Sequence, residues 1–239
     1  IKPAEVYESI GKLQIVNITL DRAVDDAQAI FESLNSTGKE LSESDLIRNY
    51  VLMGLEPSEQ TYVYEHLWRP MEQLFVYETQ GTVMDDFFRH YLTMKLSRIP
   101  KKEYVYEEFK LYHLNCEFGS IRELCQDLLD YAKYYTNIVF KRNSDADLKK
   151  LYDDIIDLRM EVSYPFLLKI HHDCNEGLIT SDELKKILKL CISYVLRRAI
   201  CEIPTNSMNK TFATLKNYIR PDDYLNSVKI ICWRNKFIE

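Results

Sequence analysis

Residues 180–202, TSDELKKILKLCISYVLRRAICE, decide the fold class. Thr180 followed by Glu183 is a capping box. The threonine hydroxyl takes the N–H of the third helical residue, and the glutamate reaches back to the Thr180 N–H. Asp182 and Glu183 stand in the first turn, with Arg197 and Arg198 near the end, the order that complements a helix dipole. The stretch predicts one long helix over about 181–202.

The same signals recur outward from this segment. Pro204 breaks the chain, Thr205 or Asn206 caps a helix at about 207–218, and Pro221 with Asp222 and Asp223 opens a last one at about 222–235. Toward the N-terminus, helices are expected at about 160–173, 145–157, 120–140 and 103–114. Pro100 closes a stretch that Thr82 and Asp85 open and that runs to about Ser97. A long helix over 59–77 contains Pro70, which should kink or split it. Ser42 and Asp45 begin another that carries Leu46, Ile47, Tyr50, Val51 and Met53. Ala27, Ile30, Phe31 and Leu34 share one helical face. Residues 13–20 alone read as a strand, rich in β-branched side chains. A lone strand needs partners from elsewhere.

The expected fold is therefore mainly α: a bundle of about ten helices, with one or two N-terminal strands left from a truncated α+β domain. Residues 1–55 form the remnant of that domain, and residues 56–239 form the helical one.

Composition agrees. Only 6 Gly and 7 Pro occur in 239 residues, too few for an all-β fold with its many turns. The 17 tyrosines are expected between helices, ring buried and hydroxyl at the surface. The net charge of −6 argues against a free-standing DNA clamp, which is usually basic. The six cysteines form no C-x-x-C pair and fit no zinc module or disulfide framework, so most are expected reduced and buried in a cytoplasmic protein. No apolar run approaches the roughly 18 residues of a membrane span. The first residues read as mid-protein sequence, and the native protein is expected to extend on both sides.

Two windows carry chemical information. The first is residues 31–47, FESLNSTGKELSESDLI. It reads as helix, turn, helix. Asn35 tolerates a left-handed conformation and offers an amide, Gly38 removes bulk from the turn, and Ser42 caps a helix whose free N–H groups suit an anion. The window fits either a contact loop for a phosphate or base, or a well-capped interhelical turn, and caps are the commoner of the two. The second window is residues 197–213, RRAICEIPTNSMNKTFA. Arg197, Arg198 and Lys210 form a small basic cluster. It suits a phosphate contact, an inter-domain dock, or a helix end complemented by charge.

Other candidates are weaker. His171 and His172 are adjacent, so on a helix they point about 100° apart and cannot readily share a metal ion. The acid pairs Asp85-Asp86 and Asp153-Asp154 sit near helix starts or on solvated faces. Phosphate-binding glycine loops and nucleophile elbows are absent.

The first window resembles the second signature of the ParB-like domain in GmrSD-type, modification-dependent (type IV) restriction endonucleases. Phe31, Asn35, Gly38, Leu41 and Asp45 match it position by position. The second window is similar to the helical region that precedes the HNH nuclease domain of that family, with Arg197, Arg198, Asn206, Asn209 and Lys210 at matching places. Residues 164–168 are a weaker match. The family's first signature, Asp-Gly-Gln-Gln-Arg, and a histidine-containing nuclease motif do not occur here. The resemblance implies a non-catalytic connector between a nucleotide-sensing ParB-like domain and an HNH nuclease, on the same chain or a partner subunit. It implies nucleotide contact through Phe31, Asn35, Gly38, Leu41, Ser42 and Asp45, and DNA or inter-domain contact through the second set. This segment would hold no cofactor or metal of its own. A nucleoside triphosphate, a divalent metal and DNA would belong to the full-length protein. The competing reading is a helical protein-interaction module.

Overall fold

The chain is mainly helical in a computed structural model that describes residues 3–14, 17, 30–31, 33, 41–76 and 83–234. It divides into two units, 1–40 and 41–239. In the first, helix α1 (Pro3–Ile10) exposes Val6, Tyr7 and Ile10. The strand expected over 13–20 lies largely outside the described residues, among which no strand occurs.

The second unit is the bundle. It opens with α2 (Glu43–Leu52), which a boundary near residue 55 would assign to the N-terminal domain. Ile47 and Val51 of α2 are buried in the bundle core. Next come α3 (Pro57–Val63), a π-helical turn (Tyr64–Trp68) and α4 (Arg69–Phe75). Here Pro70 has the expected effect, in a specific form. Proline clashes with the carbonyl four residues back and cannot bond to it. The chain widens just before it, and Arg69 N–H bonds five residues back to Tyr64 O.

Helices α5 (Val83–Leu96), α6 (Val105–Asn115), α7 (Ile121–Val139) and α8 (Ala146–Asp157) follow. The order ends with α9 (Tyr164–Asn175), α10 (Ser181–Ile200), α11 (Asn206–Thr214) and α12 (Tyr224–Arg234). Short 3₁₀ turns at Lys102–Tyr104, Glu161–Ser163 and Pro221–Asp223 lead into α6, α9 and α12. Starts are set by local chemistry. Ser120 Oγ accepts the Glu123 N–H at the head of α7. At α10 the capping box closes both ways, with Glu183 N–H to Thr180 Oγ1 at 3.2 Å and Thr180 N–H to Glu183 Oε2 at 2.9 Å.

α9 is the centre of the unit and packs on α5, α7, α10 and α11. Tyr164, Pro165, Phe166, Leu167, Leu168, Ile170, His171 and Asp173 are all buried. A helix apolar on most sides is an interior helix, and that accounts for the run at 164–168. α7 is one-sided: Leu124, Leu128, Ala132, Tyr135 and Ile138 line its inner face. Each fully buried leucine there contributes about 1.5–3 kcal/mol.

Three tyrosines depart from expectation. Tyr91, Tyr152 and Tyr194 are fully buried, hydroxyl included. A buried hydroxyl is costly without a partner, and each has one. Tyr91 OH donates to Asp127 Oδ2 at 2.5 Å, Tyr152 OH pairs with His171 Nε2 at 2.6 Å, and Tyr194 OH accepts from Arg198 at 3.3 Å. The cysteines are free; Cys125, Cys191 and Cys232 are buried, Cys116 and Cys174 half-buried, and Cys201 exposed. Among the described residues no helix is long and apolar enough to cross a membrane.

Candidate functional site

Of the first window, Asn35 and Gly38 lie outside the described residues. Phe31 is helical and half-buried in the first unit, and Leu41 is half-buried at the start of the second. Ser42 caps α2 as its sequence dictates. Its extended backbone (φ −67°, ψ 157°) aims Oγ at the Asp45 N–H, 3.1 Å away. The hydroxyl proton goes to Asp45 Oδ2 at 2.8 Å, and Asp45 pairs with Arg48 at 3.0 Å. Arg48 also reaches Glu72 at 3.2 Å, whose Oε1 accepts the Trp68 indole N–H at 2.7 Å.

The anion expected at this helix start is supplied from within. Ser44 N–H donates to Asp85 Oδ1 at 2.8 Å, a partner 41 residues away in the first turn of α5. The Asp85 carboxylate therefore stands at two helix N-termini, where the dipole of each favours it. Glu43, one residue before Ser44, accepts the Tyr106 N–H at 2.5 Å. Burial raises the Glu43 pKa, the Tyr106 N–H opposes that, and nearby Asp85, Glu107 and Glu103 raise it further. A phosphate approaching Ser42 in this arrangement meets carboxylates rather than open N–H groups. The sequence marked Asp85 only as one of an acidic pair. A partner 41 residues away leaves no local signal.

The second window folds into a clamp. α10 ends at Cys201, whose N–H bonds to Arg197 O at 3.0 Å, and Glu202 takes a left-handed φ of 53°. Ile203 N–H then closes on Arg198 O at 3.0 Å. The Arg198 side chain, 6% exposed, spans the turn: one terminal nitrogen donates to Pro204 O at 2.6 Å and Ser207 Oγ at 2.8 Å, the other to Tyr194 OH. Its cation also lies 5.6 Å from the Tyr194 ring. Arg198 thus holds the end of α10 to the start of α11 and is not on the surface. Thr205 occupies the N-cap of α11 without a side-chain cap bond. Asn206 is the first residue of α11, and Arg197 is half-buried. The Arg197 charge helps lower the Cys232 thiol pKa, after the larger effect of a hydrogen bond from Cys191. Asn209 and Lys210 are exposed on α11 and line different clefts. The basic residues of this window do not form one exposed patch.

The adjacent histidines have structural roles. His171 is buried, bonded to Tyr152 OH and to Leu167 O at 2.8 Å, and burial lowers its pKa to about 4. The His172 ring packs on Tyr131 at 5.2 Å. Among the described residues no group of three His, Cys, Asp or Glu side chains is placed to hold a metal ion. A mixed cleft around Arg89 and His90 takes Asn209 from the second window and its other walls from four further stretches of chain, so no motif marks it as a whole.

Comparison of the chain with models of protein families, with curated proteins and with solved structures returns no match.

Proposed function

We propose that this chain is the non-catalytic helical connector of a GmrSD-like, modification-dependent restriction protein of the cytoplasm. It joins a nucleotide-sensing ParB-like domain to an HNH nuclease domain, on one chain or across subunits. Nucleoside triphosphate, divalent metal and DNA are engaged by the full-length protein. The observation that carries the reading is the fastening of the second-signature helix to the bundle. Asp85 and the Tyr106 N–H grip the first turn of α2 at Ser44 and Glu43. A displacement of the Asn35 loop on nucleotide binding would thereby reach α5 and α6 through short polar bonds and a buried core, the kind of contiguous contact that can carry coupling. Because Ser42 and Asp45 are satisfied internally, nucleotide contact falls to Asn35 and its neighbours.

The test is nucleotide titration of the intact protein and its Asn35→Ala variant. Lost affinity with an unchanged Tm supports the connector. Affinity retained in the variant refutes the Asn35 contact on which the reading rests, and no nucleotide binding by the intact protein refutes it outright and leaves the second reading, a helical interaction module without nucleotide or DNA. That second reading is favoured by the burial of Arg198 and its internal bonds.

A further inference from the structure

A cleft of about 320 Å³ lies between α5, α7, the 161–165 segment and the exposed face of α11. Several cations elsewhere are spent on carboxylates: Lys95 on Asp127, Arg98 on Glu108, Arg122 on Glu59, Lys141 on Asp153 and Lys185 on Asp145. Around the cleft, the side chains of Asp86, His90, Lys102, Glu161 and Asn209 form no hydrogen bond or ion pair among the described residues. Five polar side chains thus converge on one space with their bonding capacity unspent. This is the composition of a small-molecule site rather than of a packing defect, which would be apolar.

The cleft carries charges of both signs, Arg89 and Lys102 with Asp86 and Glu161. Arg89 is held by a hydrogen bond from Nε to Pro100 O at 2.9 Å, with its terminal N–H groups left over. Arg89 and Lys102 both act on His90; together with burial, the larger cause, they lower its pKa to about 3. The imidazole is therefore neutral and keeps one donor and one acceptor nitrogen. Asp86 and Glu161 line the same cleft, where burial first and these carboxylates next raise the pKa of the Tyr135 hydroxyl, and Glu161 likewise adds to the effect of burial on Tyr164. The two aromatic rings meet edge to face at 5.7 Å. Val83, Val139 and Val162 supply the apolar wall.

These charges discriminate between ligands. A phosphate would satisfy the two cations and be repelled by two carboxylates. A simple amine would do the reverse. A neutral base would leave both pairs of charges desolvated and unmatched, which is costly. We propose that the cleft binds a free α-amino acid with an apolar side chain, its carboxylate at Arg89 and Lys102 and its ammonium at Asp86 and Glu161. The side chain rests on the valines, and the neutral His90 and the Asn209 amide add uncharged hydrogen bonds. The volume is at the small end of ligand sites, where an amino acid fits and a nucleotide is crowded. This inference is independent of the connector reading.

The experiment is calorimetric titration of this chain with leucine, isoleucine, valine, methionine and phenylalanine. The best binder is then compared with its N-acetyl form, which lacks the ammonium, and its amide, which lacks the carboxylate. Saturable binding that weakens about tenfold or more in both derivatives is expected, since each loses a charge-assisted contact. Lys102→Met and Glu161→Gln should weaken it similarly. Both side chains are exposed, so an unchanged Tm shows that the fold is kept. The inference is overturned if none of the five saturates at about 10 mM, beyond the millimolar range of weak specific binding. It is equally overturned if the N-acetyl or amide form binds as well as the parent, or if neither variant changes affinity.

Discussion

Replacing Asp85 by alanine tests how α2 is held. The Ser44 N–H is the group at risk. Ser44 is 8% exposed, and the only acceptor for its N–H among the described residues is Asp85 Oδ1. Loss of a side-chain cap typically costs about 1 kcal/mol, and stranding a buried donor about 1–3 kcal/mol. Asp85 is half-buried, so water can reach part of the vacated space, and the lower half of that range applies. A cost of about 1–2 kcal/mol follows, including the lost charge at the start of α5. For a chain of this length each kcal/mol lowers Tm by about 2–4 °C, so the expected fall is roughly 2–8 °C. Asp85→Asn keeps Oδ1 as an acceptor and loses only the charge, for about 0.5 kcal/mol. Urea unfolding of both variants, followed by circular dichroism, measures the difference. If alanine costs nothing, or if asparagine costs as much as alanine, Asp85 is not the cap described above.

Glu43→Gln should stabilise the protein at neutral pH. Burial lifts the folded-state pKa of Glu43 above its unfolded value, so the folded state binds the proton more tightly and stability falls as pH rises through that interval. Denaturation across pH should show the glutamine advantage shrinking as pH drops toward the ordinary carboxylate range. Tyr91→Phe removes a bond from a buried hydroxyl to a carboxylate and should cost about 1.5–3 kcal/mol, whereas Tyr112→Phe removes a 3.5 Å contact and should cost less than about 0.5. Calorimetry separates the two. Arg198→Ala should cost about 2–4 kcal/mol through lost hydrogen bonds and stem packing, with hydrogen exchange rising first at residues 201–207. Alkylation followed by mass spectrometry should modify Cys201 first. Cys125, buried and with its thiol pushed up to about 12, should react only on unfolding.

What could be read in the sequence was whatever closes within a turn or two. The Thr180 and Glu183 box spans four residues, and Pro70 acts on the turn before it, so both were legible. Pro165 shows the limit of that reading. The helix expected from about residue 160 begins as α-helix only at Tyr164, after a 3₁₀ turn, because proline suits a first turn and not an interior. The tyrosine hydroxyls were misplaced because their partners Asp127 and His171 are 36 and 19 residues distant. Ser42 read correctly as a cap, but Asp85, which decides what its helix end can accept, is invisible from the local pattern. Arg198 looked like one of a basic pair. Only burial distinguishes it from Arg197 and turns it into a clamp. The cleft around His90 is the extreme case, since no two of its walls share a sequence motif.

The π turn at Tyr64–Trp68 has a consequence for chain length. It holds one more residue than the same rise of α-helix, so it behaves like an insertion absorbed without a loop. Val63 upstream and Met71 downstream are both buried, and Trp68 and Glu72 link the downstream half to Arg48. A one-residue deletion here would restore regular hydrogen bonding over the same rise, leaving Val63, Met71 and Glu72 on the faces they now present. What would be lost is the room for Pro70, which would press on a carbonyl the wide turn now moves aside. The extra residue thus serves to accommodate the proline rather than to set the phase of the helix.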